Sequence, residues 1–418
     1  MPIPSSCPGL ISGAGRVLIV GIAVAACGVD TNSDSDSRSA FSLTDSAGVE
    51  LAVTAFSEPV PRVGWAIDTS SELVYGEAGE GDDVHFTWIR AATQLPDGRV
   101  AALDPRAPGL FVFAPTGELL SRAGREGDGP GEFRRPGGVV HLGGDTLLVH
   151  ASSRMRFSLF DTDGNFLAEY RLEQPAGGEE APRLTMYGLV DAIGDTVTLR
   201  GEGFSIRLSS SRDYVWENPT LRYTTDGSLV GEVADPAKMW FYGTPDGPRS
   251  RLFGGAQNVM AKDGLVYVSD RTRYEVRVHD PPAGLVRIAR LERPRRPVTD
   301  EVIEAHRDGL AENIQDPNAL KTRLAFLESS PVADSLPWIR DLIPDALGNL
   351  WVLEWRAPGR DSIPVGVFSA EGEWLGGMRL PPKFRPLEIG ADYVLGVLTD
   401  ELDVQHLVRY RLERGGRR

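Results

Sequence analysis

Four carboxylates, Asp104, Asp270, Glu354 and Asp400, end apolar strands at corresponding positions of an internal repeat. Oxygen ligands drawn from several strands suit a hard divalent cation such as calcium. A single acid at a strand end is more often a turn former, because its carboxylate accepts from backbone N–H groups nearby, and the second copy holds His150 where the others hold an acid. No metal site is assigned on this pattern and no cofactor is expected; calcium belongs only to a hydrolytic alternative. A second set, Arg90, His141, Arg154, Arg273, Arg340 and Trp355, interrupts or directly follows repeat strands with large polar groups. Such residues anchor ligands; their ordinary alternative is surface ion pairing.

Other chemistries find little support. Zincin helices, phosphate-cradling glycine loops, dinucleotide fingerprints and Gly-x-Ser-x-Gly elbows are not evident. The six histidines, at positions 85, 141, 150, 279, 306 and 406, form no ligand pair on one element. The two cysteines, Cys7 and Cys27, both lie in the first thirty residues, so the body has no disulfide and no thiolate zinc site. A net charge of -15 opposes a phosphate backbone, so no nucleic-acid partner is expected.

Behind Arg16, the apolar run Val17–Ala26 matches the hydrophobic region of a signal peptide and is too short to cross a bilayer permanently. It closes with Val24-Ala25-Ala26-Cys27-Gly28, which looks like a bacterial lipobox: small residues seat an extended chain in the peptidase, and the thiol is diacylated. Two acyl chains anchor firmly, at about 0.8 kcal/mol per buried methylene. Residues 1–26 are therefore expected to be a lipoprotein signal peptide and 27–44 a flexible polar tether. The expected location is the bacterial cell envelope, periplasmic or outer-membrane, with the membrane contacted through the lipid.

The body repeats one unit: a turn with Asp and Gly, an alternating strand, a polar end, a second strand and another Gly turn. Copies begin at Asp97, Asp145, Asp195, Asp263, Gly348 and Asp392, each preceded by an apolar strand such as Asn258–Ala261. One unit alone exposes both sheet faces and its edges, and closing the units into a ring removes that cost. Two intervals are long. The larger contains Thr299–Ile314, with acids in its first turn, and an Asp316-Pro317 start, which predicts a helical insertion over about 299–328. The alternating stretch Val49–Thr54 is expected to pair with the last copy and close the ring, with the domain spanning 45–413 and a disordered tail at 414–418.

The segment Gly124-Arg-Glu-Gly127-Asp-Gly129-Pro130-Gly131-Glu132-Phe133-Arg-Arg-Pro136 is similar to the inter-blade signature of NHL-repeat propellers. The wider pattern resembles six-bladed propellers of the NHL and TolB-like kind. The resemblance implies an all-β, six-bladed β-propeller with a small helical insertion, in which Phe133 packs between blades. Propellers host lyases, lactonases and binding scaffolds alike. The expected role is a monomeric binding scaffold for a protein, peptide or glycan; the alternative is a divalent-metal-dependent hydrolase, lactonase or lyase working in the axial channel. Replacing Cys27 by Ala should abolish lipid modification and release the protein from membranes, read by fractionation and by incorporation of a labelled fatty acid.

Overall fold

A computed structural model describes residues 40–76, 84–107, 109–151, 155–175, 184–203, 206–208, 213–244, 247–356 and 362–415. The signal-like segment with Cys27, and Arg154, lie outside them. No helix among the described residues is long and apolar enough to cross a membrane.

Six antiparallel sheets stand around one axis as the blades of a propeller. Blade I consists of Ala91–Gln94, Val100–Asp104, Gly109–Phe113 and Leu119–Ala123, and blade II of Pro136–Gly143, Thr146–Ala151, Arg156–Phe160 and Phe166–Arg171. Blade III begins with Leu184–Ile193 and Thr196–Gly203 and extends into the long hairpin Asp213–Thr224/Leu229–Thr244, which accounts for one of the long repeat intervals. Blade IV starts with Val259–Lys262, Leu265–Ser269, Glu275–Asp280 and Gly284–Glu292, and blade V holds Ile339–Pro344, Leu350–Glu354, Pro364–Phe368 and Trp374–Arg379. Blade VI holds Phe384–Ile389, Tyr393–Thr399 and Gln405–Arg414. The first strand of each blade touches the first strand of the next, from blade VI back to blade I. Between blades IV and V the chain forms α1 (Asp300–Asn313) and α2 (Pro317–Ser329), as the insertion predicts. The Asp316 side chain caps α2 by accepting from Asn318 N at 3.0 Å, whereas Thr299 makes no side-chain cap bond to α1.

Period-two alternation builds the core. In blade I, Val100 and Ala102 face blade VI while Ala101 and Leu103 face blade II, so the whole strand is buried. Six apolar clusters result, one at each seam between neighbouring blades. Phe133 is fully buried in the seam between blades I and II, against Phe160 at 5.5 Å. A glycine in the outer turn lets one blade seat on the last: Gly117 of blade I has φ +96°, and a Cβ there would lie 2.6 Å from the Val74 carbonyl oxygen.

Ring closure differs from the expectation. The strand that completes blade VI is Trp65–Tyr75, antiparallel to Gln405–Arg414, whereas Val49–Ala55 runs parallel to Gly284–Glu292 on the outer edge of blade IV. Alternation reveals which face of a strand is buried but not which of several equivalent edges it joins. Between these two pairings the chain crosses blade V, where Gly377 N donates to Pro61 O at 2.8 Å and Val63 N to Gly377 O at 3.2 Å. Residues 41–75 thus form a strap over three consecutive blades. Both limits of the propeller also move outward: a strand starts at Phe41, inside the expected tether, and Arg414 ends a strand rather than opening a tail.

Arg414 locks the closure. Its guanidinium pairs with the fully buried Asp345 carboxylate at 2.8 Å, donates to Ala391 O and Gly390 O, and lies 4.4 Å over the Trp65 ring. Trp351 Nε1 donates to the same carboxylate at 3.1 Å. Removing one partner strands a buried charge, so Arg414→Ala should lower stability by about 3–5 kcal/mol, read from urea denaturation; an unchanged midpoint would contradict this role.

His150 is fully buried in blade II, its ring 6.1 Å from that of Phe157, and burial lowers its pKa to about 3. The unfolded chain takes up a proton near pH 6.5 that the folded chain refuses, so this stability is complete above about pH 6.5 and lost on acidification toward pH 3. Between pH 7 and 5 the loss should be about 2 kcal/mol, and His150→Phe should remove that share of the pH dependence of unfolding.

Candidate functional site

In each blade the turns joining strands one to two and three to four lie on one face of the ring, and the remaining connections lie on the other. The turn face collects Asp97, Asp145, Asp163, Asp195, Asp226, Asp263 and Asp392. The opposite mouth collects arginines. Arg90 directly precedes the first strand of blade I; Arg340 and Arg385 are each the second residue of the first strands of blades V and VI; Arg200 belongs to the second strand of blade III. Register slips after Ile339 and after Pro386 break the alternation there, which re-aims side chains at the start of the inner strand.

These groups act on one another across the axis. Arg385 donates through Nη2 to Ile89 O at 2.7 Å, reaching from blade VI to the entry of blade I. Asn258 donates through Nδ2 to Arg340 O at 2.6 Å, joining blades IV and V. Asp341 sits among them, and Leu342 N donates to its Oδ1 at 3.0 Å. Burial holds the Asp341 carboxyl above the usual carboxylate range, with the Leu342 N–H and then Arg340, Arg200 and Arg385 pulling it back. Burial likewise lowers the Arg385 pKa, with Arg90 and Arg340 adding repulsion and Asp341 opposing it. Three guanidinium groups, from blades III, V and VI, therefore act on one carboxylate, and Arg90 of blade I acts on Arg385 beside it. Like charges gathered at a partly desolvated mouth favour an incoming anion, whose attraction is stronger there than in bulk water.

Beside this ring stands Trp88, 38% exposed, with the Arg90 and Arg106 guanidiniums 5.8 and 5.2 Å from its ring centroid. Asp104 positions it. This buried carboxylate accepts from Thr87 N at 2.6 Å and Trp88 N at 3.0 Å through Oδ2, and from Arg106 N and Ala107 N through Oδ1.

The other residues singled out in the sequence scatter. Arg273 leans on Glu275 at 4.0 Å in blade IV, and His141 reaches Gly144 O at 3.1 Å near the turn face, the far side of the ring from Arg90. Glu354 pairs with Arg293 at 2.8 Å, and Trp355 packs edge-on to Phe253 in a hollow beside blade V. Asp270 accepts from Thr272 N and Arg273 N, and Asp400 from Leu402 N and Val404 N, so both shape their own turns. Among the described residues no three His, Cys, Asp or Glu side chains gather to hold a metal ion. Among the described members of the expected ligand set, Arg90 and Arg340 come together at Arg385. Arg200, Asp341 and Arg385 escaped the sequence reading; the available signal was a charge inside an apolar first strand, in Ile339-Arg-Asp-Leu-Ile343 and Phe384-Arg-Pro386.

No family model matches the chain. No curated protein matches it either. Solved structures do match at the level of fold. A member of the DUF4221 family from Bacteroides vulgatus aligns with a TM-score of 0.51 at 11% identity, over 85% of this chain and 100% of that one. A Bacteroides fragilis protein described as exported gives 0.49 at 12% identity, covering 87% and 100%. Virginiamycin B lyase from Staphylococcus aureus gives 0.38 at 11% identity, covering 84% and 99%. The chain is similar to these propellers in architecture, and at such identities the likeness concerns the fold alone.

Proposed function

We propose that this chain is an exported, lipid-anchored binding propeller that takes an anionic partner, an acidic peptide segment or a uronate-type glycan, at its axial mouth. The observation that carries this reading is the convergence of Arg200, Arg340 and Arg385 on Asp341, with Arg90 beside Arg385, in a protein of net charge -15. In a chain so acidic, a cationic focus on the axis steers and orients an anion, while the acidic turn face repels it. Exposed Trp88 adds an amphipathic contact beside the charges. The lipobox-like Val24-Ala-Ala-Cys27 supports anchoring, with the polar residues after it as the tether.

Two probes test the mouth: hexaglutamate and an oligogalacturonate, titrated calorimetrically into the purified protein. Either should bind with an affinity that falls as salt rises. Each charge-assisted contact contributes about 1.5–3 kcal/mol, so Arg340→Gln and Arg90→Gln should each weaken binding about tenfold or more while the melting temperature stays close to that of the parent. Absence of binding by both probes, or binding indifferent to these substitutions, would overturn the reading.

A further inference from the structure

A second concavity lies away from the axis, between the strap and blade V, with a volume of ≈ 1060 Å³. This size reaches the upper end of the range for small-molecule sites, roughly 300–1000 Å³. One wall is the strap from Val60 to Thr69, including Arg62 and Trp65; another is the end of blade V's outer strand, with Met378 and Arg379; the third is the linker leaving blade IV, with Arg293 and Arg296, faced by Trp355.

The floor holds cations among aromatic rings. Arg293 lies 4.6 Å over Trp338, 4.9 Å over Phe56 and 5.3 Å over Tyr274; Arg296 lies 4.0 Å over Trp338 and 5.5 Å over Trp355. The Arg293 side chain is only 8% exposed, and its Nη1 meets Glu354, a carboxylate that also lines the hollow. The Nε atoms of both Arg293 and Arg296 are buried and have no hydrogen-bond partner among the described residues. Burial lowers the Arg296 pKa to about 10, with Glu354 opposing and Arg293 reinforcing the shift. A buried donor without an acceptor is destabilising, and a ligand acceptor would relieve that cost.

We propose that this hollow is a second binding site, distinct from the axial mouth, for an organic anion. The flat apolar body of the ligand would lie against Trp65, Trp355 and Met378, and its carboxylate, sulfonate or phosphate would meet Arg293 and Arg296. Charge complementarity favours this class. Arg62, Arg293, Arg296 and Arg379 line the space against Glu354, which is already engaged by Arg293. A neutral apolar molecule would leave the donors unmet, and an inorganic anion would leave the aromatic walls wet. Because the strap forms a whole wall, occupancy should also slow opening of residues 60–69.

The test uses anilinonaphthalene sulfonate, a fluorescent aromatic anion, beside its uncharged counterpart N-phenylnaphthylamine and inorganic sulfate. The sulfonate dye should bind one per chain, at least about tenfold more tightly than the neutral dye, and inorganic sulfate should compete poorly. Arg296→Gln should weaken the dye about tenfold. Should that variant fail to fold, the exposed pair Arg62→Gln with Arg379→Gln, expected to weaken it several-fold, and slowed amide exchange over 60–69 on dye binding decide the matter. Equal binding of charged and neutral dyes, indifference to the groove variants, or weakening by Arg340→Gln in place of them would overturn the proposal. The last outcome would move the dye to the axial mouth without touching the reading of that site.

Discussion

Each blade is too thin to be stable by itself. A four-stranded sheet with both faces apolar gains stability only when another sheet covers each face, so the ring must close for any seam to be fully buried. Here the ladder between Trp65–Tyr75 and Gln405–Arg414 closes the ring, and Arg414 locks its end. Arg414, the last residue of the final strand, pairs with the buried Asp345 of blade V and lies on Trp65, the first residue of the closing strand. One ion pair and one ring stack thus tie the closing pair of strands in blade VI to blade V. The pair tolerates burial because nearly all its hydrogen-bonding capacity is used: Asp345 also accepts from Leu347 N, Asn349 N and Trp351 Nε1.

Closure is also what creates both proposed sites. The axial mouth exists because residues distant in sequence, Arg90 and Arg385 among them, begin inner strands that meet only once blade VI returns to blade I. The lateral hollow exists because the segment that closes the ring first crosses blade V and leaves space beneath itself. A single length of chain, residues 41–75, therefore caps the edge of blade IV, bridges blade V and completes blade VI. That arrangement pairs two strands, Gly284–Glu292 and Gln405–Arg414, that would otherwise present unpaired backbone groups, and meets blade V at Gly377.

Charge is divided between the faces for a local reason. Tight turns favour Asp, whose carboxylate accepts from the backbone two and four residues on, as Asp161 does from Asp163 N and Asn165 N. The turn face is acidic as a consequence of its turns. The longer connections on the other face are free of that demand, and there arginines accumulate, balanced by carboxylates such as Asp104 and Asp270 that hold their own loops together.

Most of the fold was legible in the residues themselves. The Asp-Gly turns and period-two runs located all six blades, and the Asp316-Pro317 start located a helix, because turn chemistry, alternation and capping are properties of short segments. The sequence also marked Arg90 and Arg340 as large polar groups that interrupt or follow repeat strands. Tertiary structure alone decided the rest. Val49–Thr54 read as a strand and Trp65–Tyr75 did not stand out, yet which one closed the ring depended on which edge lay within reach and on Trp65 finding Arg414. Asp341 and Arg385 became part of the proposed site, and Asp270 and Arg273 did not, because convergence on an axis is set by closure of the whole chain and leaves no mark in the spacing of neighbouring residues.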